Sequence, residues 1–387
     1  MSMFAAEEQE MSQVRTVQVP GQEDVYDESY YLASQWQLVW RKFRKHKLAL
    51  LGMVVLAIFY LMAIFADFFA TNPYQQRYPE FALSPPQKIH FFDEGGRFHF
   101  PPFVYVQKQT LDMKTLRREY TEDTQVRYPL RLLVHGYPYK LLGLFETDIH
   151  LVGVEAPGVY FPFGTDEFGR DIYARTIFAS RISLSIGFVG VIVGFVIGSL
   201  VGGVSGYFGG TVDLLIQRLI EFIISIPTIP LWIALAAALP PYWTSVQVYF
   251  GITVVLATVG WTGLARTVRG KILETREADF IMAARISNVP DFHIIVKHLL
   301  PSFASYLIVS LTLGIPGMIL GETALSFLGI GIRPPAVSWG VLLQDAQNIR
   351  SVAQSPWLFI PAVFVVVAVL CFNFVGDGLR DAADPYK

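Results

Sequence analysis

The chain has 387 residues, of which 53% are hydrophobic and only 16% charged, a balance that departs from soluble domains and implies several membrane segments. A net charge of −2, with basic residues scattered over loops, argues against a polyanion-binding surface and so against nucleic acid as a partner. The single cysteine, Cys371, excludes an intrachain disulfide and a thiolate metal site built from this chain.

In chain order, residues 1–40 carry Glu7, Glu8, Glu10, Glu23, Asp24, Asp27 and Glu28 without an apolar period, and read as a mostly disordered acidic tail on the cytoplasmic side. Residues 41–70 combine a basic leader, Arg41 to Lys47, with the first apolar run. No small-residue cleavage site follows that run, so it reads as a retained span. Hydropathy predicts six spans, at about 48–69, 180–204, 217–239, 247–265, 303–325 and 356–376, each long enough to cross roughly 30 Å of hydrocarbon. The fold class expected is therefore an all-α polytopic membrane protein. Five Lys/Arg within seven residues before the first span place the N-terminus in the cytoplasm, and an even span count returns the C-terminus to the same side. The loop Arg266 to Lys297 carries six basic residues and falls inside, whereas Pro240 to Gln247 carries none and falls outside.

Between the first two spans stands an external insert, residues 71–165, rich in proline and aromatics, in which Lys140 to Val154 alternates as short strands do. It reads equally as a lid or docking surface and as a covering loop. Residues 166–387 form a five-helix core. Its first span spaces Gly190, Gly194, Gly198, Gly202 and Gly206 four residues apart, a groove for close approach of another helix. Glu322 and Thr323 lie within the fifth span, where a carboxyl needs a partner or a wet cavity, and are candidates for a translocation pathway. No phosphate-cradling GxxxxGK[ST], GxSxG or HExxH occurs, so neither nucleotide hydrolysis nor a zinc site is expected of this chain, and no cofactor or metal.

Residues 274–301 break the apolar pattern. Glu274, Glu277 and Asp279 precede an alanine-rich helix ending near Arg285, the charge order that a helix dipole favours. Asn288 suits a left-handed turn, Pro290 stops the helix, and a second helix follows with Pro290 at its first position. Ala278, Ala283 and Ala284 keep the first helix slim, as if to enter a cleft in another protein.

This hairpin resembles the EAA loop of ABC importer permeases of the peptide and nickel branch. FGTDEFGRDIYART, ARISLSIGFVGVIVG, GYFGGTVDLLIQR, ALSFLGIGIRPPAVSWG and FNFVGDGLRDAADP are similar, in the same order, to segments of the second of that branch's two permease subunits. The resemblance covers about residues 36–71 and 161–387. It implies a type I importer fold in the bacterial inner membrane, pairing with a homologous permease and two ATPase subunits that hold the ATP and Mg²⁺. An external binding protein would deliver peptide. It assigns ATPase coupling to Glu277, Ala278, Asp279, Ala283, Ala284, Arg285 and Asn288. Asn288 stands where the family has glycine, and the insert is longer than the family pattern. Nickel chelate or glutathione are alternative cargoes. A secondary transporter or channel, the main rival class, calls for inverted repeats and broken spans with midplane charges, and the sequence displays neither.

Overall fold

The computed structural model describes residues 35–113, 117–347 and 353–383, so most of the acidic tail lies outside the described residues. A short helix α1 (Gln35–Phe43) leads into α2 (Lys47–Ile64), whose first turn is capped by His46 Nδ1 accepting from the Ala49 amide at 3.1 Å. Phe65 interrupts the helix and a single turn, α3 (Ala66–Phe69), completes the predicted first span. The longest helix, α4 (Ile172–Phe208), has 37 residues and is capped by Asp171. At 1.5 Å per residue it is about 55 Å long, well beyond the hydrocarbon thickness. After α5 (Gly210–Ser225) and α6 (Thr228–Ala237) come α7 (Ser245–Thr275), opened by a Thr244–Gln247 capping box, and α8 (Asp279–Ile286). Then α9 (Asp291–His293), a π-helical stretch (Ile294–Leu299) and α10 (Leu300–Ser302) lead to α11 (Ala304–Phe327). The core ends with α12 (Trp339–Asp345) and α13 (Ile360–Ala383).

Among the described residues, five helical segments are long and apolar enough to span, and α5 with α6 forms a sixth candidate bent by 86°. The straight third span expected at 217–239 is therefore corrected to a broken one. The cause is local: Ile226, before Pro227, takes extended backbone (φ −89°, ψ 128°), and Pro227 itself is extended and lacks an amide to continue the helix. A sliding average of hydropathy does not register this, because Ile226, Pro227 and Ile229 keep the window apolar. The break carries no charged residue, so it lacks the midplane charge of the rival transporter class.

Antiparallel packing defines two ends. Arg181 of α4 donates to the Ala63 carbonyl at 2.7 Å, which fixes the C-terminal end of α2 beside the N-terminal end of α4. At the other end of α2, Ala49 and Phe43 close on Gly378 of α13, where an added Cβ would meet Ala49 Cβ at 2.4 Å. Near the far end of α4, Tyr207 donates to Asp291 at 2.6 Å. The α8 hairpin, α1 and the end of α13 thus share one end of the bundle, and residues 71–165 occupy the opposite end.

The five strands among the described residues all lie in that insert. β1 (His90–Phe92), β2 (Phe98–Asp112) and β3 (Arg117–Pro129) form one antiparallel sheet, and β4 (Arg131–Leu141) pairs with β5 (Phe145–Gly153). Instead of the short strands expected, β2 and β3 have 15 and 13 residues and pair along most of their length. The insert is fastened at its base. Trp357 Nε1 donates to the Thr165 carbonyl at 3.0 Å, while within the insert Tyr120 donates to the Ala82 carbonyl at 2.6 Å and Ser84 bonds Gln107. The buried His150 of β5 is central to this: its ring nitrogens lie 2.8 Å from the Asp67 carbonyl oxygen of α3 and 3.0 Å from the Tyr137 carbonyl oxygen. Asp67 in turn pairs with Arg181 at 2.9 Å. Replacing His150 with Leu removes the ring's N–H donor and leaves a part-buried carbonyl oxygen unmatched, at a cost of about 1–3 kcal/mol. Limited proteolysis should then cut within residues 131–153 faster than in the parent while the helical bundle stays intact, and an unchanged cleavage rate would deny His150 this fastening role.

Candidate functional site

The α8 hairpin is built from the end of α4 outwards. α8 starts at Ala278, whose side chain makes no cap bond, with Asp279 in the first turn and Arg285 in the last. It ends in a Schellman turn: the Val289 amide donates to the Ala284 carbonyl and the Asn288 amide to the Arg285 carbonyl, with Asn288 at φ 57°. Asparagine therefore holds the left-handed position. Pro290 sits one residue earlier than expected, at the N-cap of α9 with extended backbone, and Asp291 takes the first helical position.

The hairpin has two unlike faces. Ile281 and Ala284 are buried and pack with Ile272 of α7, Ile294, Ile295 and Leu299. Arg285 lies over the Tyr207 ring at 4.8 Å, and Tyr207 also holds Asp291, so both arms of the hairpin grip one residue at the end of α4. On the other face Phe280 (47% exposed), Met282 (45%), Ala283 and Ile286 (84%) stand open, with Glu277 and Asp279 beside them. The slim alanine face expected for contact is thus split. Ala284 points inward, Ala278 is half-buried, and the open face is broad and apolar. Phe280 and Ile286, large apolar residues in an otherwise polar hairpin, carry most of that open face.

The glycine row faces α7 over most of its length. A Cβ at Gly198 would lie 2.8 Å from the Trp261 carbonyl oxygen, at Gly202 2.4 Å from that of Ala265, and at Gly206 2.8 Å from that of Arg269. At Gly194 the nearest atom is 3.6 Å away, and Gly190 faces Met318 of α11 instead. Beside Gly194 is a cavity of about 280 Å³ lined in part by Thr228, Trp232, Gly260, Gly314 and Met318, at the level where α5 and α6 break. Where α4 ends, Asp213 of α5 is held by Arg269 through two bonds of 2.5 Å and accepts from Ser205 at 2.5 Å.

Glu322 does not line a pathway in this geometry. It is fully enclosed, accepting from Ser183 of α4 at 3.2 Å and from Ser326 of α11 at 2.7 Å. The same hydroxyls accept from the Trp339 amide (3.1 Å) and the Ile332 amide (3.0 Å). Its chemistry is that of a tie between two spans and the segment 328–339. Thr323 is buried too, and its hydroxyl has no hydrogen-bond partner among the described residues. A second tie lies nearby: Asp166 bonds Arg170 (2.7 Å) and the buried Arg175, and Arg175 reaches Asp345 of α12 at 3.2 Å. Burial pushes the Asp345 carboxyl up, against the pull of Arg175. At Asp171, burial drives the carboxyl up to about 6 although Asn72, Thr71 and the Tyr173 amide all donate to it.

A polytopic helical bundle with a polar hairpin at one end is the architecture of a membrane transport component. Residues 184–386 match the model of the binding-protein-dependent transport system inner membrane component family, and the chain belongs to that family. Residues 34–86 match the N-terminal transmembrane domain of oligopeptide transport permease C. Among similar proteins, the oligopeptide transport system permease protein of Escherichia coli (strain K12) is 43% identical over 229 residues, 58% of this chain and 72% of its own. The dipeptide transport system permease proteins of Bacillus subtilis (strain 168) and of Lactococcus lactis subsp. cremoris (strain MG1363) are 40% identical over 302 residues and 32% over 361. The first alignment covers 73% of this chain and 92% of the relative; the second covers 91% of both. The alignment to the Lactococcus lactis protein thus runs through most of the insert, whereas the alignment to the Escherichia coli protein covers 58% of this chain.

Proposed function

We propose that this chain is one half of the translocation channel of an ATP-driven importer of peptides, non-catalytic itself. The observation that carries the reading is the α8 hairpin, whose apolar outer face is displayed at the end of the bundle opposite the insert. In this reading that end is cytoplasmic, as the basic leader and the loop Arg266 to Lys297 support, and both chain termini lie there. Two ATPase subunits, holding ATP and Mg²⁺, serve this chain and a homologous permease. One of them seats on Phe280, Ala283 and Ile286, with Glu277, Ala278 and Asp279 at the rim. Ala284, Arg285 and Asn288 hold the hairpin's shape so that displacement of α8 passes through Tyr207 to α4. The close α4–α7 contact moves as one body, shifting the bundle between inward-open and outward-open arrangements. Peptide as cargo follows the oligopeptide and dipeptide permeases to which the chain is similar. Nickel chelate and glutathione remain the alternatives.

The insert would act on the outer side, where an external binding protein docks. Replacing residues 71–165 with a short Gly/Ser linker should preserve insertion and ATPase association, and should lower the stimulation of ATP hydrolysis by peptide-loaded binding protein at least several-fold. Loss of ATPase association in that variant would mean that the insert acts at the wrong end for this reading. Stimulation equal to the parent would reduce the insert to a cover.

A further inference from the structure

Between the start of α2, the start of α11 and the end of α13 lies a cavity of about 850 Å³, away from the α8 hairpin's outer face and from the glycine row. Its lining residues come from span ends: His46 caps α2, Ser305 stands in the first turn of α11, and Asp377 and Arg380 occupy the last two turns of α13. That places its mouth at the boundary between hydrocarbon and headgroups. Its inner wall continues along α11 through Val309 and Leu313, at the depth where an acyl chain runs.

The charges at the mouth are of both signs. Asp377, Arg380 and Asp381 supply them; Asp377 and Arg380 are exposed, three residues apart on one helix, and neither side chain has an ion pair or hydrogen bond to another described residue, whereas Asp381 is already engaged. His46 Nδ1 is already used in accepting from the Ala49 amide, which leaves Nε2 as its donor. Ser305 and Tyr306 add hydroxyls. A purely anionic ligand would meet Asp377 and Asp381, and a purely cationic one would meet Arg380. A ligand that carries a primary ammonium and a phosphate a few bonds apart satisfies both, the guanidinium taking the phosphate and the carboxylate taking the N–H donors. We infer that this cavity is a binding site for an aminophospholipid, with its phosphoethanolamine-type headgroup between Asp377, Arg380 and His46 and one acyl chain against Val309 and Leu313. The inference rests on the span geometry and does not depend on the cargo or on ATPase coupling.

The test is native mass spectrometry of the complete transporter complex titrated separately with dioleoyl phosphatidylethanolamine, phosphatidylcholine and phosphatidylglycerol. One phosphatidylethanolamine should bind with about tenfold higher affinity than either other lipid, because choline offers no N–H donor and glycerol no positive charge. Asp377→Asn combined with Arg380→Gln should abolish that preference, whereas Arg218→Gln combined with Glu221→Gln, an exposed pair on α5, should leave it unchanged. Equal affinity for the three lipids, a preference for phosphatidylglycerol, or a preference that survives the Asp377/Arg380 change would overturn the assignment. If that double variant fails to assemble, a photo-crosslinker at position 313 with all charges intact decides the matter. Capture of phosphatidylethanolamine above its mole fraction in a mixed bilayer supports the site, and capture in proportion to composition refutes it.

Discussion

Ile286→Glu should strip the ATPase subunits from the purified complex while leaving the membrane bundle folded. Ile286 is 84% exposed and is the last residue of α8, so a glutamate there meets water in the free chain and disturbs no internal contact. In the complex the same carboxylate would be driven into an apolar cleft without a partner. Truncations at such interface centres cost about 2 kcal/mol or more, and a buried unpaired charge costs at least as much, so association should weaken by at least about 30-fold. The measurement is the ratio of ATPase to permease after affinity purification in mild detergent, set beside the thermal unfolding of the permease alone. A parent-like ratio would remove the outer face of α8 from the coupling role. Ala284→Trp is the less informative change. Ala284 packs inward with Ile281, Ile294 and Leu299, so a large ring there dismantles the hairpin itself and loses ATPase binding for an intramolecular reason.

That difference between neighbouring alanines shows where sequence reading reached its limit. The hairpin's existence, its left-handed turn at Asn288 and its acidic start were legible, because each is decided within a few residues of chain. Which side of α8 faces outward was not legible: it depends on Tyr207 and Ile272, residues that only the packing of α4 and α7 brings to the hairpin. Glu322 is the same case. Its partner Ser183 is 139 residues away, and an isolated carboxyl in a span looks like a pathway group until that hydroxyl is placed beside it. The broken third span had a local signal, two prolines in IPTIP, that hydropathy averaging suppressed. In the insert, alternation was visible near β5, but the length of β2 and β3 arises from their pairing with each other, and neither has a clean two-residue period.

The glycine row supplies the other large effect, and the spacing between α4 and α7 makes it graded. A methyl group at Gly194 has 3.6 Å to its nearest neighbour, an ordinary contact, so Gly194→Ala should be neutral or slightly stabilising, since alanine is the better helix former by about 1 kcal/mol. At Gly202 the same methyl would stand 2.4 Å from a backbone carbonyl oxygen and 2.9 Å from Ala265 Cα. Neither atom can move without shifting α7 as a whole, so Gly202→Ala must separate the two helices. Overpacking of this kind costs about 1–3 kcal/mol when side chains can yield, and backbone does not yield as readily. Gly202→Leu should therefore prevent a stable bundle, and Gly202→Ala should lower the thermal midpoint in detergent by several degrees. Gly198→Leu, facing the Trp261 carbonyl at 2.8 Å, should fall between them in yield of assembled complex. The order of the four variants is what identifies the cause. If Gly194→Ala destabilised as much as Gly202→Ala, sensitivity would follow glycine content and not the approach of α7, and the row would lose its place in passing motion from the hairpin to the bundle.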